Sequence, residues 1–143
     1  MLPEKVWRGR LKKEAGLMHQ YPNFGPEDSD LTVWHGYIAG QGSFAGQTHE
    51  VRILLTRKFP FEPPQVAWLT DVFHPNIEPP VGRGGYGRVC LNLLDRDWTP
   101  MKHMPAIAEG LMYLLNHPNP ADALANPTCQ EAKKHFERRR PRR

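Results

Sequence analysis

The sequence is poor in cysteine and has no long hydrophobic run. Cys90 and Cys129 are the two cysteines among 143 residues, and a pair so few and so far apart does not indicate a disulfide framework. No apolar stretch approaches the roughly 18 residues that suggest a membrane span. The opening residues, MLPEKVWRGR, lack the apolar segment of a signal peptide. We therefore expect a soluble protein of a reducing compartment such as the cytoplasm, with no membrane partner.

Excess positive charge is also lacking outside the C-terminal end. The chain has 19 Lys and Arg against 15 Asp and Glu, and five of the 19 lie in the last six residues. Without those five, 14 basic residues face 15 acidic ones, so the body of the chain does not indicate a nucleic-acid binder. We expect one domain over 1–137 and a solvated basic tail at 138–143, with a docking or nucleic-acid patch in the tail as the alternative.

Apolar periodicity predicts helices towards both ends of the chain. A first helix is expected after Pro3, because apolar residues recur every three or four positions over 7–18. A second is expected to begin near Pro105, and a third after Asn126, which suits an N-cap position. The predicted apolar faces are Trp7, Leu11, Ala15 and Met18, then Met104, Ile107, Leu111, Leu114 and Leu115, then Cys129, Ala132 and Phe136.

Three strand-like runs lie between the first two helices, at 31–38, 48–56 and 65–70. Their connections are short, which predicts an antiparallel meander. The segment 71–103 shows no regular periodicity and is long enough to indicate a functional loop. Helices segregated from an antiparallel sheet predict an α+β fold.

The sharpest candidate for chemistry is Cys90, within HPNIEPPVGRGGYGRVCLNLL (74–94). Its glycine-rich approach offers little bulk to bury the thiol, although the apolar residues after it also fit a core cysteine that opens a strand. The seven histidines leave a Cys–His pair open. Zinc is disfavoured, because neither cysteine has a Cys or His two to four residues away. Asn76 is either an Asx-type turn residue or an amide donor for a developing oxyanion.

Six fragments in order resemble the ubiquitin-conjugating enzymes: RLKKE, FPFEPPQVAW, HPNI, VCLNLL, WTP and HPNPADAL, from about Arg10 to Phe136. The resemblance implies the fold of that family: an N-terminal helix, a meander sheet, a long active-site loop and C-terminal helices. It also implies that Cys90 accepts ubiquitin or a ubiquitin-like modifier from an activating enzyme as a thioester. The modifier then passes to a substrate lysine, with a RING-type ligase as a further partner. No cofactor is implied, since ATP is used by the activating enzyme.

The same resemblance implies roles for individual residues. Asn76 would stabilise the oxyanion or shape the site, and Asp122 would orient the incoming lysine. Support for the active site would come from His74, Pro75 and Leu91. Ligase binding would involve Phe61, Pro63, Trp98, Thr99 and Pro100, and Arg10 and Lys13 match positions used for the activating enzyme and the ligase. The modifier would be held by Ala106, Glu109, Gly110 and Tyr113.

The chain departs from the family in the loop before the cysteine. Fourteen positions separate Asn76 from Cys90, more than in typical members. The extra residues, at 78–88, are either a plain insertion or a flap whose Arg83, Tyr86 and Arg88 contact the modifier's tail. Two other functions stay open: a non-catalytic module that binds modifier or ligase, and a free-standing Cys–His hydrolase.

Overall fold

A four-stranded antiparallel sheet lies at the centre of the fold. In the computed structural model, which describes residues 1–138, strands β1 (Phe24–Pro26), β2 (Val33–Ala39), β3 (Thr48–Leu54) and β4 (Gln65–Trp68) pair in chain order. The predicted meander is therefore confirmed, with one more strand than expected. The predicted basic tail at 138–143 lies outside the described residues, apart from Arg138.

The strand limits differ from the prediction for local reasons. The strand predicted to begin at residue 31 begins at Val33 in the structure. The reason is that Leu31 adopts a left-handed φ of 64°, which is incompatible with an extended backbone. The additional strand, β1, has the sequence FGP. Three residues containing glycine and proline carry no alternating pattern, and such residues are tolerated at the edge of a sheet.

Within the described residues, three α-helices flank the sheet: α1 (Glu4–Leu17), α2 (Met104–Asn116) and α3 (Pro127–Arg138). Asn126 caps α3 as predicted, since its Oδ1 accepts the N–H groups of Thr128 at 2.9 Å and Cys129 at 3.2 Å. The predicted face of α2 is buried at Ile107, Leu111 and Leu115, while Leu114 is only half-buried. One apolar core joins α1, α2 and the inner face of the sheet.

A buried carboxylate connects α1 to the start of α2. Glu14 is fully buried, and its Oε1 accepts the backbone N–H of Met104 at 2.7 Å. Its Oε2 contacts His103 Nδ1 at 2.7 Å and Arg10 Nε at 3.1 Å. The residue before α2, His103, gives that helix no side-chain cap of its own. Glu14, a residue of α1, thus provides the hydrogen-bond acceptor for a backbone N–H group at the N-terminus of α2.

Candidate active site

The backbone around Cys90 is held against the His-Pro-Asn turn. Ile77 and Val89 form an isolated antiparallel bridge, and the Cys90 N–H donates to the Asn76 carbonyl at 2.9 Å. The cysteine is half-buried, in contrast to Cys129, which is fully buried and directs its thiol at the Ile77 carbonyl 3.4 Å away. Of the two thiols, only that of Cys90 is accessible to another protein.

Cys90 borders an open cleft with a volume of about 610 Å³. The cleft lies between the active-site loop and α2, and it brings together residues from three separate parts of the chain. The sequence-predicted site residues that line it are Asn76, Cys90, Leu91, Ala106, Glu109, Gly110, Tyr113 and Asp122. The predicted catalytic and modifier-binding groups therefore share one site.

The Asn76 side chain is buried and fully hydrogen-bonded. Its Nδ2 donates to the carbonyls of Asn119, at 2.9 Å, and Asp122, at 3.2 Å. Its Oδ1 accepts the Asn119 N–H at 2.8 Å. Both N–H donors of the amide are therefore engaged. In this conformation Asn76 shapes the site by fixing the segment that carries Asp122, and an oxyanion would have to take over one of these donors.

His74 braces the turn from inside the fold. Its Nδ1 accepts the Asn76 N–H at 3.0 Å and its Nε2 donates to the Leu114 carbonyl at 2.8 Å, which requires the neutral imidazole. Burial lowers the His74 pKa to about 4. The carbonyl of Pro75 accepts the Leu124 N–H at 2.9 Å. His74 and Pro75 thus fix the turn to α2 and to the segment after Asp122.

The electrostatic surroundings of Cys90 favour the protonated thiol. Burial and the negative charge of Asp122 raise its pKa, Arg96 lowers it, and Asp95 raises it again. Within the described residues Cys90 has no hydrogen bond to a histidine. The histidine that lines the same cleft, His117, instead stacks on Tyr113, with ring centroids 3.9 Å apart. A base-activated Cys–His nucleophile is therefore not supported.

Leu91 links the cysteine to α2. A β-carbon placed on Gly110 would lie 3.1 Å from Leu91 Cδ2, so the glycine permits a close approach of the helix to this side chain. Around Gly110, the side chains of Ala106, Glu109 and Tyr113 are exposed to solvent. Gly110 itself is half-buried, and it contributes more to the packing of Leu91 than to an exposed surface.

The residues predicted to receive a ligase do not line the Cys90 cleft. Phe61 is 54% exposed, as an anchor residue requires, whereas Trp98 is only 9% exposed. The indole of Trp98 donates to the Pro60 carbonyl at 2.7 Å and packs on Phe59, with ring centroids 5.8 Å apart. Trp98 therefore holds the two loops together rather than presenting its ring. Pro63 is half-buried, and Thr99 and Pro100 are exposed.

Arg10 also makes internal contacts. Its guanidinium donates to the carbonyls of Pro100 at 2.8 Å and Lys102 at 2.6 Å, and its side chain is 15% exposed. Lys13, one turn along the helix, is exposed. The partner contacts of both residues stay predictions, but Arg10 has a direct role in fixing the 100–102 loop to α1.

The described residues contain no group of three or more His, Cys, Asp or Glu side chains that could hold a metal ion. Over residues 1–138, no helix is both long and apolar enough to cross a membrane.

Comparison with known proteins identifies the family. A family model described as Ubiquitin-conjugating enzyme matches residues 10–141. The chain belongs to the ubiquitin-conjugating enzyme family. It is 31% identical over 110 residues to ubiquitin-conjugating enzyme E2 N of Macaca fascicularis, covering 76% of this chain and 68% of the relative. It is 34% identical over 128 residues to ubiquitin-conjugating enzyme E2 S of Danio rerio, covering 86% of this chain and 55% of the relative.

The fold agrees with this assignment. The E2 domain of a Toxoplasma gondii ubiquitin conjugating enzyme superposes with a TM-score of 0.75 at 25% identity, covering 93% of this chain and 88% of that chain. The predicted α+β ubiquitin-conjugating fold is thus confirmed. Membership of the family implies a transferase of ubiquitin conjugation, which interacts with a modifier, an activating enzyme and ligases.

Proposed function

We propose that this enzyme carries ubiquitin or a ubiquitin-like modifier as a thioester on Cys90 and transfers it to a substrate lysine. The observation that supports this most is the common cleft: the accessible thiol, Asp122 and the exposed face of α2 line the same space. Residues 1–137 would act as a single conjugating domain. Because the thiol must stay reduced and both cysteines are free, we propose a reducing compartment such as the cytoplasm.

Loading exchanges one thioester for another. The Cys90 thiol loses its proton, its Sγ forms a bond to the modifier's terminal carbonyl carbon, and the bond from that carbon to the activating enzyme's sulfur breaks. The departing thiolate takes up a proton, so the exchange is nearly balanced in energy and needs no dedicated base. The raised pKa of Cys90 means that loading depends on the small thiolate fraction at neutral pH.

Transfer forms an amide and releases the thiol. The substrate's Nζ attacks the thioester carbonyl, the carbon–sulfur bond breaks, and the proton lost by the amine balances the proton gained by the Cys90 thiolate. Asp122 is exposed at the cleft, where its carboxylate can attract and orient the amine. Asn76 would support this step by holding the 119–122 segment in place.

The modifier would lie along the α2 face formed by Ala106, Glu109 and Tyr113, which are exposed beside the thiol. A RING-type ligase would contact the surface around Phe61, with Pro63, Thr99 and Pro100 beside it and Lys13 on the adjacent helix. The alternative, a non-catalytic module that binds modifier or ligase on the same fold, does not require the thiol to be accessible or Asp122 to share its cleft.

A charging assay tests the proposal. The protein is incubated with a matched activating enzyme, ATP and a panel of ubiquitin-like modifiers, then separated on a non-reducing gel. We expect an adduct that thiol reductant removes, that Cys90→Ala abolishes and that Cys90→Ser converts to a slower-forming, reductant-stable ester. Cys129→Ala is the matched control and should load normally. An adduct that survives Cys90→Ala and is lost in Cys129→Ala would overturn the assignment of the thiol.

A further inference from the structure

The glycine-rich insertion forms an ordered flap at 78–88, anchored at its base. Glu78 N–H donates to the Arg88 carbonyl at 2.8 Å, and Gly87 N–H donates to the Pro79 carbonyl at 2.9 Å. The Trp68 N–H donates to the Gly87 carbonyl at 2.8 Å, which attaches the flap to the end of β4. A β-carbon on Gly87 would lie 2.5 Å from the Trp68 carbonyl oxygen, so this close approach requires glycine.

Two side chains fix the rest of the flap. Glu78 is 6% exposed, and its carboxylate accepts the backbone N–H groups of Tyr86 at 3.0 Å and Arg88 at 3.4 Å. Near the tip, Asn126 Nδ2 donates to the Gly84 carbonyl at 2.7 Å. A plain surface insertion needs no such internal anchors, and this flap is held in a defined position beside Cys90.

The flap presents positive charge and an aromatic ring. Its one acid, Glu78, is buried against backbone N–H groups, whereas Arg83 and Arg88 are exposed. Tyr86 is 68% exposed, with the Arg88 guanidinium carbon 5.0 Å from its ring centroid. A cleft of about 720 Å³ is lined by the flap and by residues 124–126.

The two sides of the active site therefore differ in charge. The cleft towards α2 carries three carboxylates, those of Asp97, Glu109 and Asp122, and none of the described Lys or Arg residues lines it. The flap cleft contains Arg88 and adjoins Arg83. Its lining includes Leu124, two residues after Asp122. An acceptor polypeptide that approached Asp122 from the side of the flap would contact Arg83 and Arg88 before it reached the thioester.

We propose that the flap, together with residues 124–126, binds an acidic segment of the acceptor protein next to its target lysine. This rests on the proposed function, since it assigns the acceptor to the side of Cys90 opposite the modifier. The charge of Arg83 and Arg88 selects acidic residues, and the ring of Tyr86 packs on the acceptor's backbone or side chains. The expectation that the same residues contact the modifier's tail stays a prediction beside this one.

A single-turnover discharge assay tests the proposal. The preloaded thioester is mixed with two peptides that each contain one lysine, one flanked by glutamates and the other by glutamines. We expect discharge to the acidic peptide to be about tenfold faster, with the difference shrinking as NaCl is raised from about 50 to 500 mM. Arg83→Glu/Arg88→Glu should remove the preference. Lys133→Glu/Lys134→Glu, with the same change in charge on α3, should retain it.

A second measurement separates this proposal from the proposed function. The unloaded protein, labelled with nitrogen-15, is titrated with both peptides, and backbone shifts are followed by NMR. Shifts at 82–88 with the acidic peptide, lost in Arg83→Ala/Arg88→Ala, support the flap surface even if no thioester forms. Equal discharge to both peptides, or shifts at the α2 face instead of the flap, would overturn the flap proposal while leaving the conjugating function intact.

Discussion

The Asn76 side chain and the Asn119 backbone bind each other at both polar ends. Asn76 Oδ1 accepts the Asn119 N–H at 2.8 Å, and Asn76 Nδ2 donates to the Asn119 carbonyl at 2.9 Å. The reciprocal pair closes the active-site loop against the segment that carries Asp122. Position 76 therefore controls where the acidic side chain lies relative to the thiol.

Replacing Asn76 by alanine should separate the two steps of the reaction. The change removes the three side-chain hydrogen bonds that Asn76 makes to the backbone of Asn119 and Asp122, so we expect a loss of about 2 kcal/mol in the free energy of unfolding. Transfer to lysine should slow because Asp122 is no longer held, while loading of Cys90 is spared. Denaturant unfolding measures the loss of stability, and separate assays of Cys90 loading and of transfer to lysine measure the two steps. The control is Asn92→Ala, an exposed residue of the same cleft; equal loss of loading and transfer would mean that the whole site depends on Asn76.

Asp122→Asn should have opposite effects on thiol reactivity and on transfer. The Asp122 charge contributes to the raised pKa of Cys90, so its removal lowers that pKa and speeds alkylation by iodoacetamide at pH 7–8. Transfer to lysine should fall by roughly 10–100-fold, because the amine is no longer oriented. Asp71→Asn, at an exposed acid outside the cleft, is the control. If alkylation slows in Asp122→Asn, the carboxylate does not act on the thiol as proposed.

Acid should destabilise the fold through His74. Its pKa is about 4 in the folded protein, against an ordinary value of 6.5, so the unfolded chain takes up the proton first. Stability is unaffected above about pH 7, falls as the pH drops below 6.5, and this loss is complete near pH 4, at about 3 kcal/mol. Imidazole titration by NMR checks the cause: the His74 imidazole should stay neutral down to about pH 4. A His74 resonance that titrates near pH 6.5 would show that this imidazole is not the cause of the acid instability.

Phe61→Ala should impair transfer that depends on a ligase without unfolding the domain. The ring is 54% exposed, so its loss should change the free energy of unfolding by less than about 0.5 kcal/mol. The loss of an interface anchor should weaken ligase binding by at least about tenfold. Tyr37→Ala, at a similarly exposed aromatic residue on the sheet, should leave ligase-dependent transfer unchanged. A large drop in thermal stability of Phe61→Ala would show that the ring is structural.

The periodic parts of the fold could be predicted because their signals are local. Within residues 1–138, apolar spacing identified the three α-helices and three of the four strands, and the Asn-Pro pair marked the start of α3. It was also correct that Cys129 is a small buried residue. Strand β1 was missed because it depends on pairing with β2, with Gly25 opposite His35, rather than on its own pattern.

Residues whose role depends on distant contacts could not be predicted. Nothing in the sequence near Glu14 indicates that its carboxylate caps a helix 90 positions later. Likewise, nothing in the sequence near Glu78 indicates that its carboxylate binds the backbone N–H groups of Tyr86 and Arg88 and so anchors the flap. The family motifs led us to expect Cys90, Asn76 and Asp122 in one site, and all three line the same cleft. The motifs do not reveal that Trp98 and Arg10 hold loops in place.

The burial of Glu14 has a consequence for how this protein can evolve. Its carboxylate is shared among Arg10, His103 and the Met104 N–H, so a change at position 14 alone leaves two side chains and a backbone group without their acceptor. Lineages that lose the acid should therefore change positions 10 and 103 with it and supply α2 with a local Ser, Thr or Asp cap. Across descendants of this chain, the three positions should be inherited as a correlated set.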